Sequence, residues 1–213
     1  MLVQYNSRLP VSESSVTRFP AEKRSDATLA VDAAAGDRDA IAIIWDRYSS
    51  LVFGVLFGAL GPDPAVEDLA QDVFLGFIHG AGRLRDGTAL RGYLAGMAVK
   101  QAAQEIRRRK VRRWVGLTVS GELPEGAVPP LDAESREVLS ALHRVLERLS
   151  SRRRMAFILR QVQALEVLEA AAALGISEAT FRRELKFAKD FIARASVGEP
   201  ALAELLTKYE GSW

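Results

Sequence analysis

"EAAAALGISEATFRRELKFAKDF", residues 169–191, decides how this chain folds. It reads as two helices joined by a tight turn. Small Ala171 lets the helices approach, and Leu174 and Ile176 fill the angle between them. Gly175 can supply the left-handed residue that the turn needs. Ser177 caps the second helix, and Glu178 suits its positive end. On that helix Phe181, Leu185, Ala188 and Ile192 recur on one inward face. Thr180, Arg182, Arg183, Lys186 and Lys189 stay outside. A helix carrying four cations after such a turn suits the major groove of DNA. An ordinary helical hairpin with a solvated charged face fits the same residues, and Glu184 and Asp190 dilute the charge.

Upstream of the turn, "ESREVLSALHRVLERLS" is periodic at Val138, Leu142, Val145, Leu146 and Leu149. "SSRRRMAFILRQVQ" gives another helix, with Ser150 or Ser151 as its cap. Residues 115–133, "VGLTVSGELPEGAVPPLDA", hold three Gly and three Pro and read as a linker. Before it, Ile41, Ile44, Trp45, Tyr48, Val52, Val55, Leu56 and Ala59 recur at three- and four-residue steps from Asp37 onward. "GPDP" (61–64) breaks that helix, and Asp63 can cap the next, with Pro64 at its first position. The helix at about 64–79 places Val66, Leu69, Ala70, Val73, Phe74 and Phe77 on one face and Glu67, Asp68, Gln71 and Asp72 on the other. A loop "HGAGRLRDG" (79–87) follows. Thr88 can cap a helix over about 89–114, with Leu90, Leu94, Met97, Ala98 and Ile106 as its contacts.

These patterns predict an all-α protein of two helical lobes joined by a Gly/Pro-containing linker, the second lobe a helix-turn-helix domain. The expected boundaries are a flexible N-terminal tail (1–35), the first lobe (36–114), the linker (115–133), the second lobe (134–196) and a C-terminal extension (197–213). In the extension "PALAELLTKY" (200–209) is amphipathic.

Net charge over the 213 residues is only +2, while "RRRKVRR" (107–113) alone carries +6, which leaves −4 for the rest. The positive charge is local, as an anionic partner requires. Six cations on phosphates imply a salt slope of about −4 to −5. A solubilising helix end fits the run as well, since cations there complement the helix dipole. Likewise Glu67, Asp68 and Asp72 suit the start of their helix without any partner. Together with Gln71 and Leu75 they also make a patch for a basic helix.

The chain has no cysteine and two isolated histidines, His79 and His143. Disulfides, thiolate sites and a cysteine nucleophile are excluded, and a zinc site is not expected. No Gly-rich phosphate loop stands between a strand and a helix. The chain is read as a non-enzyme with no metal and no cofactor. No signal peptide is read at the N-terminus, and the apolar run "LVFGVLFGAL" (51–60) is about half a membrane span, so it is read as a buried helix without membrane insertion.

Taken together, these strings resemble the extracytoplasmic-function (ECF) class of bacterial RNA polymerase sigma factors. "EDLAQDVF" (67–74) is similar to the string best known in the family's first lobe. "LRGYLAGMAVKQAAQEIRRRKVRR" (90–113) resembles its promoter-melting helix, and "LGISEATFRRELKFAKDFI" (174–192) its −35 reading helix. The resemblance implies a cytoplasmic factor that binds core RNA polymerase, brings it to a subset of promoters and helps open the DNA. It implies that Asp68, Gln71, Asp72 and Leu75 dock on the coiled coil of the β′ subunit. The −10 element would meet Arg83, Arg85, Tyr93, Lys100, Arg107, Arg108, Arg109, Lys110, Arg112 and Arg113. The −35 element would meet Thr180, Arg182, Arg183 and Lys186. An anti-sigma factor or another regulator is a further implied partner.

The sequence departs from the family at Tyr93, where Trp is usual, and at Val99-Lys100, where Arg-Asn is. Ala164-Leu165-Glu166 stands in place of Gly-Leu-Ser and loses the Ser cap. Ala170 replaces a larger aliphatic residue, and Glu184 stands where a basic residue is common. These departures leave room for a sigma-like interaction protein that does not melt promoters. A plain helix-turn-helix regulator is the remaining alternative, but it gives the 64–79 helix and the long linker no purpose.

Overall fold

The computed structural model describes residues 24–61, 63–80, 89–114 and 133–195, and the side chains of 110–139 lie outside that description. The order is α1 (Asp26–Ala34), α2 (Arg38–Leu60), α3 (Ala65–Gly80), α4 (Leu90–Trp114), α5 (Ala133–Glu147), α6 (Ser151–Phe157), α7 (Val167–Leu174) and α8 (Glu178–Ala195). A π-helical turn, Ile158–Val162, extends α6. No strand occurs among the described residues.

Within the segment expected to be a tail, residues 26–34 form α1. Ser25 caps it, its Oγ accepting from the Thr28 amide at 3.1 Å. Leu29, Ala30 and Ala33 are buried, and α1 packs on α2, α3 and α4. Residues 1–23, the loop residues 81–88, the linker residues 115–132 and the extension 196–213 lie outside the described residues, as does the Thr88 cap.

Asp37 caps α2 through the Asp39 amide at 2.9 Å. By length and composition α2 could cross a membrane. Its apolar residues Ile44, Val52, Val55, Leu56 and Ala59 are instead buried in the fold, where α2 packs on α3 and α4. The helix stops at Gly61, whose φ of +77° only glycine adopts cheaply. Asp63 then caps α3, accepting from the Ala65 amide at 2.9 Å. The six apolar residues read for α3 are all buried, and Trp45 of α2 packs on Phe74 with ring centroids 4.5 Å apart.

In the second lobe Val145, Leu146, Leu149, Met155, Phe157, Phe181, Ala188 and Ile192 are buried between α5, α6 and α8. The turn between α7 and α8 is left-handed at Gly175 (φ 64°, ψ 35°). A second left-handed residue, Ala164 (φ 51°), sits just before α7. There Glu166 and Glu169 form a reciprocal capping box: the Glu166 side chain accepts from the Glu169 amide in place of a Ser hydroxyl, and the Glu169 carboxylate accepts from the Glu166 amide at 3.2 Å.

The two lobes share one apolar core. Helix α7 lies on α4, and α6 with its π-helical turn lies on α2.

Candidate functional site

Three surfaces carry the residues singled out by sequence. The first is the outer face of α3. Because Val66, Leu69, Val73 and Phe77 take the inner stripe, Asp68, Gln71, Asp72 and Leu75 project together on the solvent side. Leu75 is 53% exposed, an apolar residue framed by carboxylates. Such a face fits a partner helix that is basic at its rim and apolar at its centre.

The second surface runs along α4. Lys100, Gln104, Arg107 and Arg108 are exposed at helical spacing, so they share one stripe. The side chains of Lys110, Arg112 and Arg113, and the loop residues Arg83 and Arg85, lie outside the described residues. Two residues expected on this surface also contact the protein itself. Tyr93 is half-buried and packs on Phe77, with ring centroids 6.4 Å apart in a T-shaped arrangement. Arg109 turns inward: its guanidinium donates to Asp63 at 2.9 Å and to Glu105 at 3.2 Å. Glu105 itself is only 6% exposed. Arg109 thus ties the far end of α4 to the turn between α2 and α3.

The third surface is the outside of α8. Arg182, Arg183 and Lys186 are exposed; Arg182 pairs with Glu178 at 2.6 Å. Thr180 is half-buried at the helix start, its hydroxyl accepting from Ser177 Oγ at 2.9 Å while Ser177 Oγ accepts the Thr180 amide. Glu184 does not dilute this face. It points to α6 and accepts from Arg153 at 3.1 Å, with its side chain 13% exposed. Lys189 is half-buried, and burial with the nearby Arg160 charge pulls its pKa below the usual lysine value. Of the cations read for the −35 face, Arg182, Arg183 and Lys186 therefore point outward.

Sequence reasoning missed the polar clasps between the lobes. Arg91 of α4 donates to the Gln163 carbonyl at 2.7 Å and faces Glu169 at 3.5 Å. Arg154 of α6 donates to the Ala59 carbonyl at 2.6 Å and the Glu147 carbonyl at 3.0 Å, so one cation closes the C-terminal ends of two helices. Nearby, His143 lies among Glu147, Arg154 and Arg109. Burial pushes its pKa below the usual histidine value, against the pull of Glu147. Among the described residues, no group of three or more acidic, histidine or cysteine side chains is placed to hold a metal ion.

Comparison with known proteins gives these surfaces a common frame. The profile of Sigma-70 region 2 matches residues 44–112, and that of Sigma-70, region 4 matches residues 139–192. The chain is 27% identical over 173 residues to the ECF RNA polymerase sigma factor SigM of Mycobacterium tuberculosis, covering 81% of this chain and 85% of SigM. Its fold is similar to that of CnrH, solved in complex with the cytosolic domain of CnrY (TM-score 0.63, 19% identity, 83% of this chain and 99% of that one). It is also similar to the sigma factor RpoE of Bartonella quintana, solved with the anti-sigma factor NepR (TM-score 0.55, 19% identity, 70% and 91%). With both regions in order on one chain, and a sigma factor of the same class aligned across most of it, the chain belongs to the sigma-70 family of RNA polymerase sigma factors, in the ECF class.

Proposed function

We infer that the chain binds core RNA polymerase, directs it to a subset of promoters through their −10 and −35 elements, and promotes DNA opening. The observation that carries this reading is the presence of regions 2 and 4 on one chain, in order, with their apolar stripes buried and their charged faces turned outward. Asp68, Gln71, Asp72 and Leu75 supply the docking face for a coiled coil of the β′ subunit. Lys100, Arg107 and Arg108, with the loop residues Arg83 and Arg85 and the helix-end residues Lys110, Arg112 and Arg113, supply the cations for the −10 region. Arg109 serves there as a positioning residue, because its charge is already met by Asp63 and Glu105. Arg182, Arg183 and Lys186 face the −35 element, with Thr180 at the helix start. Backbone contacts of this kind set affinity and register, while contacts to base edges set sequence preference.

The factor acts as an initiation factor without catalysis of its own, in the cytoplasm where polymerase and chromosome meet. An anti-sigma factor is the natural regulator, since RpoE of Bartonella quintana is bound by one.

A footprint tests the reading. Core polymerase and the chain together should protect both elements of a cognate promoter when neither does so alone. Arg182→Ala/Arg183→Ala should lose the upstream protection first. Protection by the chain without polymerase would point to a plain helix-turn-helix regulator instead.

A further inference from the structure

Helix α8 carries three phenylalanines, and the fold treats them differently. Phe181 is fully buried, and Phe191 packs against the core. Phe187 is 47% exposed, so it forgoes much of the apolar burial that the other two obtain. Its neighbours on the surface are charged: Arg183, Lys186 and Asp190 are exposed beside it. Helical spacing sets Thr180, Arg183 and Phe187 on one stripe, at i, i+3 and i+7. That stripe offers a hydroxyl, a guanidinium and an aromatic ring in sequence.

The ring is also held in place. Arg153 of α6 lies over it, with its Cζ 4.7 Å from the ring centroid. The same guanidinium donates to Glu184 at 3.1 Å. Glu184 thus fixes Arg153 and meets its charge, and Arg153 in turn fixes the ring by a cation–π contact. The rest of the ring stays open to solvent beside Arg183. An aromatic side chain has only two rotatable bonds, so a ring already braced loses little entropy when it meets a ligand.

The chemistry of the major groove narrows what such a ring can read. Phosphates and most base-edge groups are charged or hydrogen-bonding, and cations such as Arg183 and Lys186 suit them. The C5 methyl of thymine is the apolar group on the major-groove edge of the bases, and a phenyl ring suits it. Phe187 lies four residues beyond Arg183, about 6 Å of helix rise. The two side chains therefore reach base pairs within about two steps of each other, at 3.4 Å per step.

We propose that Phe187 is a specificity-determining residue of α8 that reads a thymine methyl in the −35 element, and that Arg153 is the positioning residue that braces its ring. This rests on the sigma-factor reading and deepens it: it names the base group that the upstream element must present.

Selection from duplexes randomised across the upstream element, using the full chain bound to core polymerase, tests the proposal. The wild type should enrich thymine at one position. Phe187→Ala should lose that enrichment and keep the rest of the element. Replacing this thymine by deoxyuridine removes only the methyl. The exchange should weaken wild-type binding about two- to fourfold and leave Phe187→Ala unaffected. Phe187→Gln, similar in reach but polar, serves if the alanine variant fails to fold, and should likewise bind both duplexes equally. Arg153→Ala should bring the thymine-to-deoxyuridine ratio toward one, and Arg153→Lys, which keeps a cation over the ring, should restore most of it. An unchanged thymine preference in a folded Phe187 variant overturns the proposal, as does a wild type indifferent to the methyl. A full ratio in Arg153→Ala overturns the positioning role. If the wild type with core polymerase selects no upstream element at all, the sigma-factor reading falls and takes this proposal with it.

Discussion

Arg109 and Asp63, 46 positions apart in the chain, meet at 2.9 Å and pin the end of α4 to the turn between α2 and α3. The contact lies within a run of cations in which Arg107 and Arg108 face solvent. It separates one structural arginine from its neighbours. Arg109→Ala should therefore lower stability by about 1–3 kcal/mol, since the mostly buried Glu105 loses a charged partner. Arg107→Ala and Arg108→Ala should each stay within about 0.5 kcal/mol. The pair Arg107→Ala/Arg108→Ala should instead flatten the salt dependence of promoter binding by about 1.4 to 1.8 in log–log slope. Denaturant melts and a salt titration measure the two effects separately.

Glu184 gives a second contrast. A family comparison alone suggests that a basic residue here strengthens −35 binding. The structure predicts the opposite for Glu184→Lys. The new cation faces Arg153, whose guanidinium now sits 3.1 Å from the carboxylate, and the α6–α8 contact weakens. Thermal melts should show a loss of about 1–2 kcal/mol, with no gain in affinity for −35 duplex.

Two left-handed residues flank α7, one of the right type and one of the wrong type. Ala164 at φ 51° carries a Cβ where glycine has none to strain, so Ala164→Gly should stabilise by about 1 kcal/mol. Gly175 at φ 64° has open space around an added Cβ, so Gly175→Ala should cost about 1 kcal/mol through backbone strain alone. Equilibrium unfolding of both variants should shift the midpoint in opposite directions.

Acid should loosen the contact between the lobes around His143. The His143 pKa is depressed by burial, so the folded state binds fewer protons than the unfolded state just below the ordinary histidine value. Stability is then present above that value and falls as pH drops through it. The groups around the ring are Glu147 on α5, Arg154 on α6 and Arg109 on α4. The Glu147 attraction only partly offsets the burial. The wild type should lose more Tm between pH 7.5 and 5.5 than His143→Gln does. Equal losses would contradict this assignment.

What the sequence disclosed is what short-range periodicity records. The inner stripe of α3, the GPDP break and the Gly175 turn were all legible because each depends on residues within one or two turns. Helix α1 escaped notice because its nine residues bury only Leu29, Ala30 and Ala33, too few to establish a period. The direction of Glu184 depends on Arg153, 31 positions away, and that of Arg109 on Asp63. Helical spacing reports which face a residue takes, not what meets it there. The close packing of the two lobes was invisible for a similar reason. Gly54, Gly58, Gly92 and Gly96 read only as small residues until Ile158, Gln163, Glu169 and Ala173 are set against them.

The most direct test of the central claim is run-off transcription with purified core polymerase on the DNA upstream of the factor's own gene. A discrete transcript that requires the chain is predicted. It should weaken in Asp68→Ala/Asp72→Ala through lost polymerase affinity, and in Arg107→Ala/Arg108→Ala with that affinity unchanged. A chain that binds core polymerase yet opens no promoter, or that never binds core polymerase, would contradict the account.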